Sequence, residues 1–517
     1  MSLIFSLIAT IQHLIITVAL GLIFALLLYI YFTWTFDKWK NLNVPYVRPI
    51  PLFGNYLNNV LCINHPADTY KLIYRKLAGH KYGGFFQMRT PYLMIRDPEM
   101  ITNILNKDFS YFPNRGIYTD YSADPMSENL FFLYYPRWKI IRNKISPAFS
   151  PGKLKQMLDQ IKECSDTMME NIYKKLDDIS NEIEVRSILA RFSLDVIATC
   201  AFGLILNKNY EDQSEFHMYG KTLFQPSPRI LIRELCLMIS PKLLKILRFP
   251  NFPPKASAFF HRIFHETISH REKNNLIRHD IVQNLIQARK ELVLNPNLSQ
   301  DEKFTETQIV ANAFVMFAAG FETVSTALSF CLHELSLKKH IQDKVRMEIK
   351  TKQSKHNGVL DSEFLKELHY LDMVIAETLR KYPATFALFR EAVKTYHVPN
   401  DSLVIKKGQK LIIPIMSLHN DPKYFNDPEV FDPDRFLPEE KAKRPNGVYL
   451  PFGDGLRVCI GKRFAQMEMK LSLVKILSKF EVEPCEKTEI PIQFSNLSII
   501  VLPNSEEVWL KFNKLSD

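Results

Sequence analysis

The run Phe452-Gly453-Asp454-Gly455-Leu456-Arg457-Val458-Cys459-Ile460-Gly461 constrains this chain more than any other feature. It fits F-x-x-G-x-R-x-C-x-G at every fixed position. A cysteine thiolate can be the single protein ligand to a haem iron, and it pushes electron density towards the metal. The thiolate needs backbone N–H donors and nearby positive charge to stay ionised. Gly455 and Gly461 are expected to let the main chain pass close to a flat macrocycle, where a Cβ would clash. Arg457 is placed to neutralise a propionate and Phe452 to shield the sulfur from water. The plainer alternative, a buried cysteine beside a Gly-rich turn, would account for a lone cysteine but not for five fixed positions together. Cys459 is therefore the candidate metal ligand.

The 517 residues are 46% hydrophobic, enough for a large core, and no linker, repeat or low-complexity tract divides them. The net charge of +11 comes from basic residues interspersed with acidic ones. That pattern argues against nucleic acid and suits an acidic protein partner or an anionic membrane surface. Seven cysteines (62, 164, 200, 236, 331, 459 and 485) lie far apart with no C-x-x-C, which speaks against a disulfide framework or a structural zinc site.

No charged side chain precedes Asp37, and residues 14–32 hold Thr17 as their one conventional polar side chain. Such a run crosses a hydrocarbon core as a helix. Trp34 and Trp39 are expected at the membrane interface, and Lys38, Lys40 and Arg48 place the bulk of the protein on the cytosolic side. A cleaved signal peptide would want a basic start and a small-residue cleavage site, and neither is evident. Pro45, Pro49 and Pro51 stiffen the link that follows. Residues 229–249 mix leucine and isoleucine with arginine and lysine, a composition for a surface dipping into lipid headgroups or for ordinary core-facing helices.

The cysteine motif resembles that of the cytochrome P450 family, and other segments are similar to the family's further signatures. Residues 304–338 read as one long buried helix opened by a Thr305/Gln308 capping box. Within it, Ala319-Gly320-Phe321-Glu322-Thr323 looks like the family's A-G-x-[DE]-T. A mid-helix glycine and a buried acid both cost stability, which often marks a functional site. The resemblance implies that Thr323 and Glu322 deliver the two protons that O–O cleavage needs in a dry pocket. A buried threonine bonding its own helix, with Glu322 in a structural pair, is the bland alternative. Val324 departs from the Thr or Ser of many members, and Ser325 is the hydroxyl that could compensate.

Glu377 and Arg380, three apart on a helix over 364–381, look like E-x-x-R, and Pro433-Asp434-Arg435-Phe436 like P-x-R-F. The resemblance implies a buried triad of Glu377, Arg380 and Arg435 that holds the loop carrying Cys459. Trp138 and Arg142 match W-x-x-x-R and would share one face to grip a propionate, and Arg390 takes the place of a third propionate contact. The implied pocket is lined by Phe314, Phe317, Ala318, Ala319, Ala384, Leu388, Ile499 and Ile500, with residues 112–126 above the haem; most are apolar, so a lipophilic substrate follows.

The implied fold is mainly α with small β-sheets: residues 1–36 an anchor helix, 37–55 a Pro-containing hinge, 56–517 the haem-thiolate domain. The implied cofactor is haem b. The chain shows no G-x-G-x-x-G after a strand, so electrons must come from another protein, by resemblance NADPH–cytochrome reductase with cytochrome b5 as a possible second donor. Lys139, Arg142, Lys144, Lys462, Arg463 and Lys470 would form the basic docking face.

Asp124-Pro125-Met126-Ser127 and Leu130-Phe131-Phe132 are similar to insect microsomal members, which implies an endoplasmic-reticulum monooxygenase of xenobiotics such as plant toxins or insecticides. An endogenous hormone or steroid hydroxylase is the alternative within that class. A thiolate-haem isomerase would tend to lack Thr323, and a non-enzymatic haem or lipid sensor would need no such helix.

Overall fold

In the computed structural model, residues 2–178, 181–204, 215–225, 227–278, 280–294 and 304–515 are described. The element that organises them is the helix Glu306–Leu337. Both halves of its capping box form: Thr305 Oγ1 accepts from the Gln308 N–H (3.1 Å) and Gln308 Oε1 from the Thr305 N–H (3.3 Å). By length and hydropathy this helix could cross a membrane, but 78% of its most apolar stretch is buried inside the protein, so it is a core helix. It packs along Val185–Phe202 and against Pro254–Lys273, His369–Lys381 and Lys462–Leu477.

The sheets are small, as the sequence predicts. Four strands run in the order β1-β2-β7-β4, with β1 Tyr82–Gln87, β2 Thr90–Ile95, β4 Leu388–Glu391 and β7 Lys410–Ile413. β1 and β2 pair antiparallel from Tyr82↔Ile95 to Gln87↔Thr90, β2 runs parallel to β7, and β4 antiparallel to it. A second sheet is β3 Glu182–Glu184, β9 Trp509–Lys514 and β8 Phe480–Glu483, and a third is β5 Tyr396–His397 with β6 Val404–Ile405.

The N-terminal helix Ser2–Thr33 carries an apolar stretch, Ile4–Thr33, of mean hydropathy 2.6; its most apolar part is wholly unburied, and Phe32 at its end is buried. It is long and apolar enough to cross a membrane, and Trp34 follows it at 77% exposure. Trp39 does not sit at the interface as expected. It is 1% exposed, because Gly84 has no side chain there: a Cβ on Gly84 would lie 2.3 Å from the indole. The chain then ties itself to β1, with Gly84 N–H donating to Pro45 O (2.7 Å) and Val47 N–H to Gly84 O (3.0 Å). Residues 229–249 form two helices, Pro228–Ile239 and Pro241–Ile246, started by Ser227 and Ser240 as N-caps. Ile232, Leu235, Ile246 and Leu247 are exposed, whereas Arg233 and Leu244 are buried.

Candidate haem-thiolate site

The cysteine loop is closed by its own backbone. Cys459 N–H donates to Phe452 O (2.9 Å) and Val458 N–H to Gly455 O (3.0 Å), and Asp454 caps the single turn Gly455–Arg457 through the Gly455 N–H (2.8 Å). Gly455 serves a purpose other than the expected one. Its φ is +71°, and a Cβ would sit 1.9 Å from Leu105 O, so it lets the loop press on the turn at 103–107 rather than on a macrocycle. A Cβ on Gly461 would meet no protein atom within 4 Å, so there the open side remains for a flat group.

Cys459 keeps exposed surface, yet the protein around it still desolvates its thiol. Desolvation pushes its thiol up; the Gly461 N–H and the charges of Arg142, Arg115 and Lys462 pull the other way. Phe452 stays half-buried, its ring 5.9 Å from Lys462 Nζ.

Four guanidinium groups gather beside this loop: Arg142, Arg390, Arg457 and one the sequence reading passed over, Arg115. Arg457 donates from Nε to Pro113 O (2.5 Å) and from Nη2 to Leu133 O (2.8 Å), and its buried Nη1 has no partner. Arg390 donates to Phe389 O (2.8 Å), and its buried Nε is likewise unpartnered. Arg115 donates to Phe131 O (2.8 Å) and Arg142 to Val458 O (2.9 Å). Burial and then mutual repulsion push Arg457, Arg390 and Arg115 down from their ordinary values. No carboxylate of the described residues pairs with any of the four.

Such a cluster needs an anion, and the two propionates of a haem supply that charge. Trp138 is buried beside these arginines. Its ring lies under Arg457 (4.3 Å to the guanidinium), so it backs that arginine by cation–π contact.

Across from the loop, the central helix is buried almost everywhere, yet Ala319 is exposed and Gly320 and Thr323 are partly so. Exposure in the middle of a buried helix means that Ala319 and Thr323 face an internal space, whereas a Cβ on Gly320 would lie 3.0 Å from Ile197 of the neighbouring helix. Thr323 Oγ1 donates to Ala319 O (2.7 Å) and keeps its lone pairs free to accept. Glu322 points elsewhere: it is 3% exposed, ion-paired to Arg186, and accepts from Thr326 Oγ1 (3.3 Å). Arg186 also donates to Glu506 O (2.8 Å). Ser325 does not compensate for Val324, since its hydroxyl is fully buried and bonded to Phe321 O (3.1 Å) and Glu322 O (3.2 Å).

Of the expected pocket residues, Ala384, Leu388 and Ile499 keep exposed surface; Val501 N–H donates to Ala384 O (3.1 Å) and joins their two segments. Ala318 and Ile500 are buried at its edge. Phe314 and Phe317 do not join the face of Ala319. Both are fully buried, packed against Phe260 at centroid distances of 5.5 and 4.6 Å.

Below the loop the Glu377–Arg380–Arg435 triad is assembled. Arg380 holds Glu377 through two bonds of 2.7 Å, Arg435 Nε lies 3.5 Å from Glu377 Oε1, and Asp432 N–H donates to the same oxygen (3.0 Å). Desolvation pushes the Glu377 carboxyl up against the pull of Arg380. His419 then connects triad to loop: its Nδ1 meets Arg380 O (3.1 Å) and its Nε2 accepts from Leu450 N–H (2.9 Å). No motif in the sequence pointed to His419.

The Cytochrome P450 family model matches residues 44–510. The chain belongs to the cytochrome P450 family. It is 37% identical over 491 residues to Probable cytochrome P450 6a13 of Drosophila melanogaster, covering 95% of this chain and 97% of that one. Cytochrome P450 6k1 of Blattella germanica is 36% identical over 490 residues (92% and 93% covered), and cytochrome P450 9e2 of the same insect 35% over 493 (91% and 92%). This P450 is therefore a monooxygenase, and haem is its family's cofactor.

One member of the expected docking face is displaced: Lys470 is buried and bound to Leu365 O and Asp372 Oδ2, both at 2.7 Å. Lys139, Lys462 and Arg463 stay exposed.

Proposed function

We propose that this P450 oxidises lipophilic small molecules, xenobiotics such as plant toxins or insecticides among them, with haem b held by Cys459. The observation that carries this reading is the exposed Cys459 thiol at the foot of an arginine cluster without carboxylates, with Ala319 and Thr323 facing an internal space. When bound there, haem supplies activation of dioxygen with two electrons per turnover. The residues do the rest. Arg115, Arg142, Arg390 and Arg457 neutralise the propionates, Thr323 Oγ1 holds and passes a proton, and Glu322, held in place by its pair with Arg186, is the next carboxyl group of the relay behind it. Ala318, Ala319, Ala384, Leu388, Ile499 and Ile500 keep the substrate side apolar.

In this reading residues 1–36 are the anchor, 37–55 the link and 56–517 the catalytic domain, which works on the cytosolic face of the endoplasmic reticulum. Electrons come from NADPH–cytochrome reductase, with cytochrome b5 as a second donor, docking on Lys139, Lys144, Lys462 and Arg463. Reconstituted activity should fall as salt rises, because exposed charges are screened within about 10 Å at 0.1 M; activity flat in salt would remove the docking face.

The reading is tested by reconstituting full-length protein with reductase, NADPH and oxygen, and analysing a panel of plant toxins, insecticides and steroids by mass spectrometry. Products one oxygen heavier, formed only with NADPH and reductase, support it. A carbon-monoxide spectrum of intact haem-thiolate with no oxygenated product would overturn the substrate class.

A further inference from the structure

A cleft of about 250 Å³ lies beside the start of the helix Lys38–Asn41 and shares no residue with the haem-thiolate site. Trp39, Leu42, Leu93, Leu403, Val404 and Ile405 make its apolar wall, and Lys38, Lys406 and Gln409 bring its polar groups. Its volume falls below the roughly 300–1,000 Å³ of drug-sized sites, so it suits one headgroup with the start of its chains. Lys38 Nζ donates to Gln409 Oε1 (2.6 Å). No carboxylate of the described residues pairs with Lys38 or Lys406; Asp37, next in sequence, is exposed. Burial and then the charge of Lys406 push the Lys38 ammonium down, so the half-buried Lys38 feels the exposed Lys406 at the mouth of the cleft.

The position of the cleft names its occupant. The apolar stretch ends at Thr33, and the chain stays coiled from there: Trp34 N–H donates to Ile30 O (2.9 Å), Phe36 to Thr33 O (2.8 Å) and Lys38 to Thr35 O (3.1 Å). Lys38 is thus within about 7.5 Å of the end of the span at about 1.5 Å per residue. The headgroup layer on each side of a bilayer is about 5–7.5 Å deep. The same level carries Arg89, stacked on Tyr31 (3.9 Å), and Thr35 bonded to Arg89 O (2.5 Å).

We propose that this cleft is a binding site for one anionic phospholipid of the membrane that the anchor crosses, its phosphate between Lys38 and Lys406 and its glycerol end against Leu42 and Val404. The site rests on the reading of Ile4–Thr33 as an anchor, which alkaline carbonate extraction of membranes tests separately.

The test uses full-length holoprotein in detergent with phosphatidylserine or phosphatidylcholine of identical chains, read by native mass spectrometry. The wild type should retain one phosphatidylserine with a preference on the order of tenfold over phosphatidylcholine, the attraction expected of two lysines. Lys38→Ala with Lys406→Ala, its haem-thiolate absorbance intact, should retain the two lipids equally, and Lys38→Arg with Lys406→Arg should keep the preference. If the double alanine variant loses haem, Lys406→Ala alone should lower the preference about threefold. Equal retention by the wild type, or a preference that the alanine variants keep, would overturn the site. Inorganic phosphate should leave the lipid in place; its displacement of the lipid at equal concentration would reassign the cleft to free phosphate and overturn the lipid assignment.

Discussion

An alanine at position 455 would have to adopt φ near +71° with its Cβ 1.9 Å from the Leu105 carbonyl oxygen. Gly455→Ala should therefore lower the stability of the fold by more than about 1 kcal/mol, visible as a lower melting temperature of apoprotein and holoprotein alike. Gly461→Ala meets no protein atom, so the apoprotein should melt as the wild type does while haem retention falls. Equal effects of the two variants on the apoprotein would contradict the separate purposes assigned to them. At this scale the cysteine motif was readable because a thiolate ligand restricts its neighbours chemically. The reason for Gly455 was not, since it depends on a carbonyl 350 positions away in the chain. Arg115 was hidden for a similar reason: a single arginine in a loop carries no spacing signal, and only the convergence of four guanidiniums identifies it.

At the scale of elements, two buried connections hold the cysteine loop. Glu377→Ala leaves Arg380 without its partner inside the protein, a loss of about 3–5 kcal/mol. The variant should accumulate as protein without haem, and a full haem content would refute the lock. His419 makes this connection sensitive to pH. Burial, then the charge of Arg380, pushes it down from 6.5 to about 3, and its Nε2 must stay unprotonated to accept from Leu450. A group depressed in the folded state stabilises fully above its unfolded value and loses that contribution as pH falls. The melting temperature should thus drop between about pH 6.5 and about pH 3, and His419→Gln should flatten that part of the profile. E-x-x-R and P-x-R-F were legible as motifs, and so was the start of the central helix from its capping box. Which face of that helix meets the internal space was not. A helix apolar all round gives no direction, which is why Phe314 and Phe317 read as pocket residues and lie in an aromatic cluster instead.

At the scale of the whole molecule, the helix pair Pro228–Ile239 and Pro241–Ile246 lies beside the N-terminal helix. The exposed Ile232, Leu235, Ile246 and Leu247 accompany Lys242 and Lys245 on one pair of helices, and Tyr31 of the N-terminal helix donates to Ile239 O (3.4 Å). Deletion of residues 1–36 should leave measurable vesicle binding, weakened further by Ile246→Asp with Leu247→Asp in a flotation assay. A truncated protein that stays wholly in solution would exclude this second contact.

What the sequence determined by itself was the set of groups whose chemistry is local: the candidate thiolate with its flanking residues, the capped helix, the acid and base three apart, the uncharged N-terminal run. Each is a pattern that covalent spacing imposes along the chain. What tertiary structure decided was everything set by contacts far apart in sequence. Trp39 is core because Gly84 leaves room for it; Lys470 is buried because Asp372 and Leu365 O receive it; Glu322 is ion-paired because Arg186 comes from another helix. Burial and pairing in these cases are properties of neighbours that the fold alone brings together.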